Sequence, residues 1–160
     1  MRYWDKSYLF PTPHSCNFSN WLSVKNGWCL MFTEKEKAYI GSQPLARLAT
    51  VSKSGQPDVA PVGFRFDGEN FLVTGFDITR TYKYKNVKAG NDLVSIVIDD
   101  LASTSPWAAR GIKIHGKAEI TERDGHAFLI IHPLRSWSWG IEETAFKDGK
   151  PVSRKARREG

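Results

Sequence analysis

Residues 110–120 place apolar or small side chains at every second position over an eleven-residue run, Arg-Gly-Ile-Lys-Ile-His-Gly-Lys-Ala-Glu-Ile. A helix would scatter those side chains around its circumference, whereas a strand gathers them on one face. Other segments share this habit at shorter length. Residues 45–52 alternate and are rich in small and branched side chains, so they read as a strand. Residues 53–57, Lys-Ser-Gly-Gln-Pro, form a tight turn, and 58–66 return as a second strand. Pro61 restricts that strand to an edge or a bulge. Asp67-Gly68 marks a hairpin into a third strand over 71–76. Residues 93–98 are apolar enough for a buried fourth strand, 110–120 are the fifth, and 136–141 a sixth.

Short helices interrupt the strands. Thr33 followed by Glu36 is a capping box that opens a helix running to about Gly41. A helix over 80–90 is expected after Thr79 as cap, and another over 124–132, stopped by Pro133. Strands at such close spacing point to a β-barrel or a sandwich.

The chain has 160 residues, 41% of them hydrophobic, which suits one soluble domain with a real core. No apolar run approaches the ~18 residues of a membrane-spanning helix. Its two cysteines, Cys16 and Cys29, cannot build a disulfide scaffold or a four-cysteine zinc site. From residue 31 onward there is no cysteine, which fits a reducing, cytoplasmic setting. The net charge of +6 is unevenly placed. Residues 1–30 contribute +2, residues 147–160 contribute +4, and 31–146 are neutral. Residues 1–30 show no helical or strand period and hold three of the six tryptophans. The domain expectation is therefore an N-terminal extension (1–30) upstream of a natural start at Met31, a folded body (31–146) and a solvated basic tail (147–160). A nucleic-acid-binding barrel would rest on that tail and the tryptophans, and the neutral body argues against it.

The densest chemical signal is residues 79–88, with Arg80, Lys83, Lys85 and Lys88 and no acid. Arg80 and Lys83, three apart at a helix start, would share a face and suit phosphoryl oxygens; a solvated basic helix is the alternative. His115 reads as an outward polar residue, and with no second histidine at ligand spacing a metal site is rejected. Asp99 and Asp100 are adjacent on a strand, so they face opposite ways and form no catalytic pair. Trp137 and Trp139 suit a core, an interface, or the wall of a flat aromatic ligand, with Gly140 allowing close backbone approach. Glycine-rich dinucleotide and phosphate loops, the nucleophile elbow and the zinc-protease motif are absent. So thin an acid–base inventory suits chemistry done by a bound cofactor.

Residues 45–51 and 55–64, followed by 80–87, 97–100, 110–118 and Ser138-Trp-Gly-Ile141, resemble the pyridoxamine-phosphate-oxidase-like superfamily of flavin-binding split barrels. Together they are similar to its deazaflavin subgroup, and the likeness spans about 31–156. The resemblance implies a six-stranded antiparallel split β-barrel of the FMN-binding type, paired as a homodimer with the cofactor between subunits. It implies coenzyme F-420, a deazaflavin, with FMN as the alternative. It carries the phosphate contacts onto Arg80, Lys83, Lys85 and Asn86, and the ring contact onto the backbone of Ala60, Pro61 and Val62. Arg110 would lie near the cofactor, and Ser138 with Trp139 would close the site. No side chain is assigned a catalytic role.

The activity implied is hydride transfer from the reduced coenzyme to an activated C=C or C=N bond of a small molecule. An FMN-dependent oxidase or reductase, or a non-catalytic carrier of the cofactor, are the alternatives. Membrane and nucleic-acid partners are not expected. One departure matters. True pyridoxamine phosphate oxidases end in an arginine-rich substrate segment and a Glu-Phe-Trp-like motif, whereas Ser138-Trp-Gly140 and a basic stretch stand here. That argues against pyridoxamine phosphate as substrate.

Overall fold

The structure, a computed structural model, describes residues 31–158. The expected extension 1–30 lies outside the described residues. Helix α1 (Glu34–Ser42) starts as the capping box requires. The Glu36 N–H donates to Thr33 Oγ1 at 3.1 Å, and the Thr33 N–H donates to Glu36 Oε2 at 2.9 Å.

The strands are β1 (Ala46–Val51), β2 (Pro57–Val62), β3 (Phe64–Phe66), β4 (Phe71–Val73), β5 (Leu93–Thr104), β6 (Trp107–Arg123) and β7 (His126–Trp139). They form one antiparallel sheet in the order β2-β1-β5-β6-β7-β4-β3. The two terminal strands of that order, β2 and β3, are separated in sequence only by Gly63. A flat sheet would hold them about six strand spacings, roughly 29 Å, apart. Two residues span no more than ~7 Å. The sheet therefore curls strongly enough to bring the linked ends of β2 and β3 together without pairing them, the open curl of the split barrel that the resemblance implies. Counting the bent β2–β3 segment as one strand gives six along this path, and residues 154–157 add a seventh beside β7; the strand expected over 136–141 is the end of β7, which stops at Trp139. Pro61 sits on β2, whose other side lacks a ladder partner, as its missing N–H demands.

Fully buried Leu48, Ile96, Ile98, Ile112, Ile114, Leu129 and Ile131 fill the interior. Phe32, beside α1, meets the Phe66 and Phe71 rings edge-on at 5.4 and 6.1 Å. Arrangements of this kind add about 0.5–1.5 kcal/mol each beyond the area they bury.

Three expectations change. The helix over 124–132 is absent: Asp124 and Gly125, both at positive φ, form a turn, and β7 begins at His126. Pro133 stops nothing. It lies at a bulge, where β6 slips register between His115 and Gly116, and where β7 exchanges one neighbour for another. Below it β7 pairs with β4, and above it with β10 (Arg154–Arg157). The helix over 80–90 is broken into a 3₁₀ turn (Ile78–Arg80) and α2 (Tyr82–Lys88), with Thr81 rather than Thr79 in the N-cap position. The stretch from 147 onward is not a solvated tail. After a small ribbon of β8 (Phe146–Lys147) and β9 (Lys150–Pro151), strand β10 joins the main sheet along β7.

That last strand is fastened from inside. Glu36 has no solvent exposure, and its Oε2 accepts from Arg154 Nη1 at 2.8 Å. Its Oε1 accepts from the Ser138 hydroxyl, and Thr33 Oγ1 in turn donates to Glu142. One buried carboxylate thus joins α1, β7 and β10. No described helix is long and apolar enough to cross a membrane.

Candidate functional site

Among the clefts formed by the described residues, two of note share no lining residue. The first, about 200 Å³, lies where β2 ends, the chain leaves β4 and α2 begins. Pro61, Val62 and Gly63 form one wall, Thr74 to Ile78 another, and Thr81 and Lys83 the third. Pro61 and Val62, expected from the resemblance to lie at the cofactor ring, thus share a cleft with Lys83 of the basic segment. Ala60, one residue earlier, does not line this cleft.

The basic residues divide. Lys83 lines the cleft and makes no ion pair among the described residues. Arg80 belongs to the 3₁₀ turn, so it does not share a helix face with Lys83. Its side chain is 85% exposed, with Nε 3.9 Å from Asp77 Oδ2. Lys85 stands away from the cleft, its ammonium 5.8 Å from the Tyr82 ring centroid. Asn86 is buried, and its amide donates to Thr50 Oγ1 at 2.9 Å. This bond pins α2 to β1.

The second cleft, about 310 Å³, lies between α1 and the ends of β6 and β7. Lys35, Ala38, Tyr39, Ser42, Arg110, Gly140 and Ile141 line it. Arg110 binds Asp100 through both prongs, Nε to Oδ1 at 2.7 Å and Nη2 to Oδ2 at 2.8 Å. Its guanidinium carbon lies 5.3 Å from the Tyr39 ring centroid, and the Tyr39 hydroxyl donates to Asp100 Oδ1 at 3.1 Å. The hydrogen bond from Arg110 holds the Asp100 carboxyl below its usual range. Burial, and then the Asp100 charge, push the Tyr39 phenol upward. This is a neutralised, rigid wall rather than a free cation. Asp99 faces the other way and meets Arg47 at 2.7 Å, as adjacent strand residues must.

Ser138 and Trp139 line neither cleft. Ser138 is buried against Glu36. Trp139 lies flat on β6: a Cβ on Gly111 would come 2.6 Å from its Cζ2, and one on Gly140 would come 2.3 Å from the Ala109 carbonyl oxygen. Gly140 sits at φ +66°, so that bend needs glycine. Tyr39 carries no signal in the sequence, and Asp100 reads there only as half of a pair with Asp99, because their meeting depends on α1 packing beside β5, 61 residues away.

The first cleft suits the phosphate-bearing end of a flavin-type cofactor. It offers an ammonium with no ion pair among the described residues, Thr74 and an apolar Pro61–Val62 edge; the Thr81 hydroxyl already donates to the Ile78 carbonyl at 2.6 Å, and the cleft's one acid, Asp77, is turned toward Arg80. Its volume is smaller than the ~300 Å³ at which drug-sized pockets begin, so the remainder of such a ligand would lie outside it.

The profile of the family described as pyridoxamine 5'-phosphate oxidase matches residues 32–139. The chain is 40% identical over 121 residues to the 5a,11a-dehydrotetracycline/5a,11a-dehydrooxytetracycline reductase of Streptomyces rimosus subsp. rimosus, covering 69% of this chain and 84% of that protein. Among solved structures, a conserved hypothetical protein of Mycobacterium tuberculosis superposes with TM-score 0.57 at 20% identity, covering 72% of this chain and 89% of the other. An F420 reductase superposes with TM-score 0.53 at 22% identity, covering 66% and 98%. At those identities the structural likenesses speak for the fold. Profile, relative and curled sheet agree: the chain belongs to the pyridoxamine 5'-phosphate oxidase family of flavin- or deazaflavin-binding split barrels, and it is an oxidoreductase.

Proposed function

We propose that this chain is a deazaflavin-dependent reductase that uses coenzyme F-420 to reduce an activated C=C bond of a small molecule. The observation that carries the reading is the 40% identity to a protein whose name specifies reduction of a 5a,11a-unsaturation. An activated C=N bond is the same chemistry at a different acceptor. When bound, the coenzyme supplies the hydride, so no protein nucleophile is required.

The chain's own residues bind and orient. Lys83 takes the phosphate, with Arg80 at the rim as a mobile second cation. Pro61 and Val62 present an apolar edge that keeps water from the ring. Asn86, through Thr50, fixes α2 so that Lys83 stays aimed at the cleft. Holding donor and acceptor in contact can supply ~7–11 kcal/mol of the barrier. The homodimer belongs to the same proposal. Val51 and Val59, 40% and 64% exposed on neighbouring β1 and β2, offer an apolar surface to a second copy. The two small clefts of one copy would then be completed by the other, with Trp139 contributed across the groove.

A side-by-side fluorescence titration with coenzyme F-420 and FMN tests the reading. Preference for F-420, followed by turnover of an α,β-unsaturated acceptor, supports it. Preference for FMN moves the chain to the FMN-dependent branch of the family. Tight F-420 binding without oxidation by any acceptor makes it a carrier.

A further inference from the structure

The outer face of the sheet carries cations that neither cleft uses. Strands β6, β7 and β10 run side by side, with Lys113 opposite Trp137 opposite Lys155, and His115 opposite Arg135 opposite Arg157. Alternation turns these six outward, because their neighbours Ile112, Ile114, Ser136, Ser138 and Ala156 are buried. At ~4.8 Å between strands and ~6.8 Å per two residues, the six are rooted in a patch of roughly 10 by 7 Å. Lys113, Arg135, Lys155 and Arg157 make no ion pair among the described residues. The acids at its border are already taken: Asp99 by Arg47 at 2.7 Å, Asp92 by Lys117 at 3.1 Å, and Glu119 by His132 at 3.2 Å. The Lys113 ammonium rests 4.6 Å from the Trp137 ring centroid, and His115 meets that ring 4.7 Å away on a tilted plane. Burial first, then the charges of Lys113 and Arg135, holds the His115 imidazole below its usual value.

Like charges on neighbouring strands repel, so this arrangement lowers stability unless an anion neutralises it. Arginine forks on adjacent strands and a lysine fixed over a tryptophan are suited to phosphate or carboxylate oxygens. We propose that this patch is a second anion-binding site, separate from the Lys83 cleft, that takes a compact small molecule bearing two or more phosphate or carboxylate groups. Compactness follows from the border. Acids that already have partners, Asp99, Asp92 and Glu119, border the patch, whereas a nucleic acid duplex presents a charge every ~1.7 Å of axis and needs a longer basic track.

Tripolyphosphate is the probe, and the His115 imidazole resonance, assigned through His115→Gln, is the reporter inside the patch. Titration at low ionic strength moves that resonance saturably and raises its titration midpoint. Added salt weakens the binding. Arg135→Gln combined with Arg157→Gln weakens it at least tenfold, while the circular dichroism of the double variant stays that of the parent. Lys155→Gln alone weakens it less. A His115 resonance that stays still while calorimetry detects tripolyphosphate binding elsewhere overturns the proposal. So does unchanged affinity in the folded double variant. A single-stranded oligonucleotide that binds the same face more tightly than tripolyphosphate overturns the compact-ligand assignment.

Discussion

Replacing Arg154 with alanine should destabilise the fold far more than its place near the end of the chain suggests. Its guanidinium faces a carboxylate with no solvent exposure, while Arg154 itself is 26% exposed. With Arg154 gone, Glu36 keeps two neutral donors, the Thr33 N–H and the Ser138 hydroxyl, but loses its counter-charge. Breaking a buried ion pair by removing one partner costs ~3–5 kcal/mol. Water can follow the truncated side chain from the exposed side, so the lower figure, about 3 kcal/mol, applies. For a chain of this size that corresponds to a fall of roughly 6–12 °C in Tm. Glu36→Gln removes the charge but leaves the arginine able to reach water, so its loss should be smaller. The double variant should then lose less than the sum of the two singles. Urea unfolding of all four proteins, read as a double-mutant cycle, measures the coupling. A loss below about 1 kcal/mol for Arg154→Ala, the range of exposed ion pairs, would refute the reasoning.

Other outcomes follow from the same geometry. Lys83→Ala should weaken cofactor binding by ~1.5–3 kcal/mol, the range for a charge-assisted hydrogen bond, and Arg80→Ala by less, because Arg80 stands in solvent; equal losses in a fluorescence titration would contradict that ranking. Asp100 titrates low because Arg110 holds it, so its folded value lies below its unfolded one. Its contribution to stability is therefore present above the unfolded carboxyl value and lost as pH falls through the folded one. Asp100→Asn should flatten the acid limb of urea midpoints measured from pH 6 down to pH 2. Gly140→Ala should destabilise sharply, since the added Cβ lands 2.3 Å from the Ala109 carbonyl oxygen at φ +66°; an unchanged melting temperature would count against the bend described there. Val59→Asp should yield monomers in sedimentation if β1 and β2 meet a second copy.

Legibility in the sequence tracked how local the cause was. The capping box of α1, the Asp67 hairpin and the edge position of Pro61 are decided within a few residues, and each stands where expected. Residues 126–132 misled because Phe128, Leu129, Ile130 and Ile131 are apolar in succession, which masks the period of two. Pro133 looked like a helix stop, and only the exchange of β4 for β10 along β7 makes it tolerable in a central strand. The basic run 154–158 hid its strand because charge dominates it, although Ala156 is the inward residue among outward Lys155 and Arg157. At the site, Pro61, Val62 and Lys83 line one cleft, while Asn86 and Ser138 turn inward to Thr50 and Glu36. Those partners are 36 and 102 residues away, so only the finished topology could name them.

The single-residue link between β2 and β3 also orders events during synthesis. Both strands leave the ribosome early, joined to hairpin partners on each side, yet the barrel they bracket cannot close. β1 waits for β5, and β4 waits for β7, which ends at Trp139. Until then the nascent chain carries two hairpins with open edges and an unfilled apolar face, the form most prone to pairing with other chains. A ribosome that has not yet let β7 emerge would hold the molecule at its stickiest, and chaperone demand should persist until that strand is free.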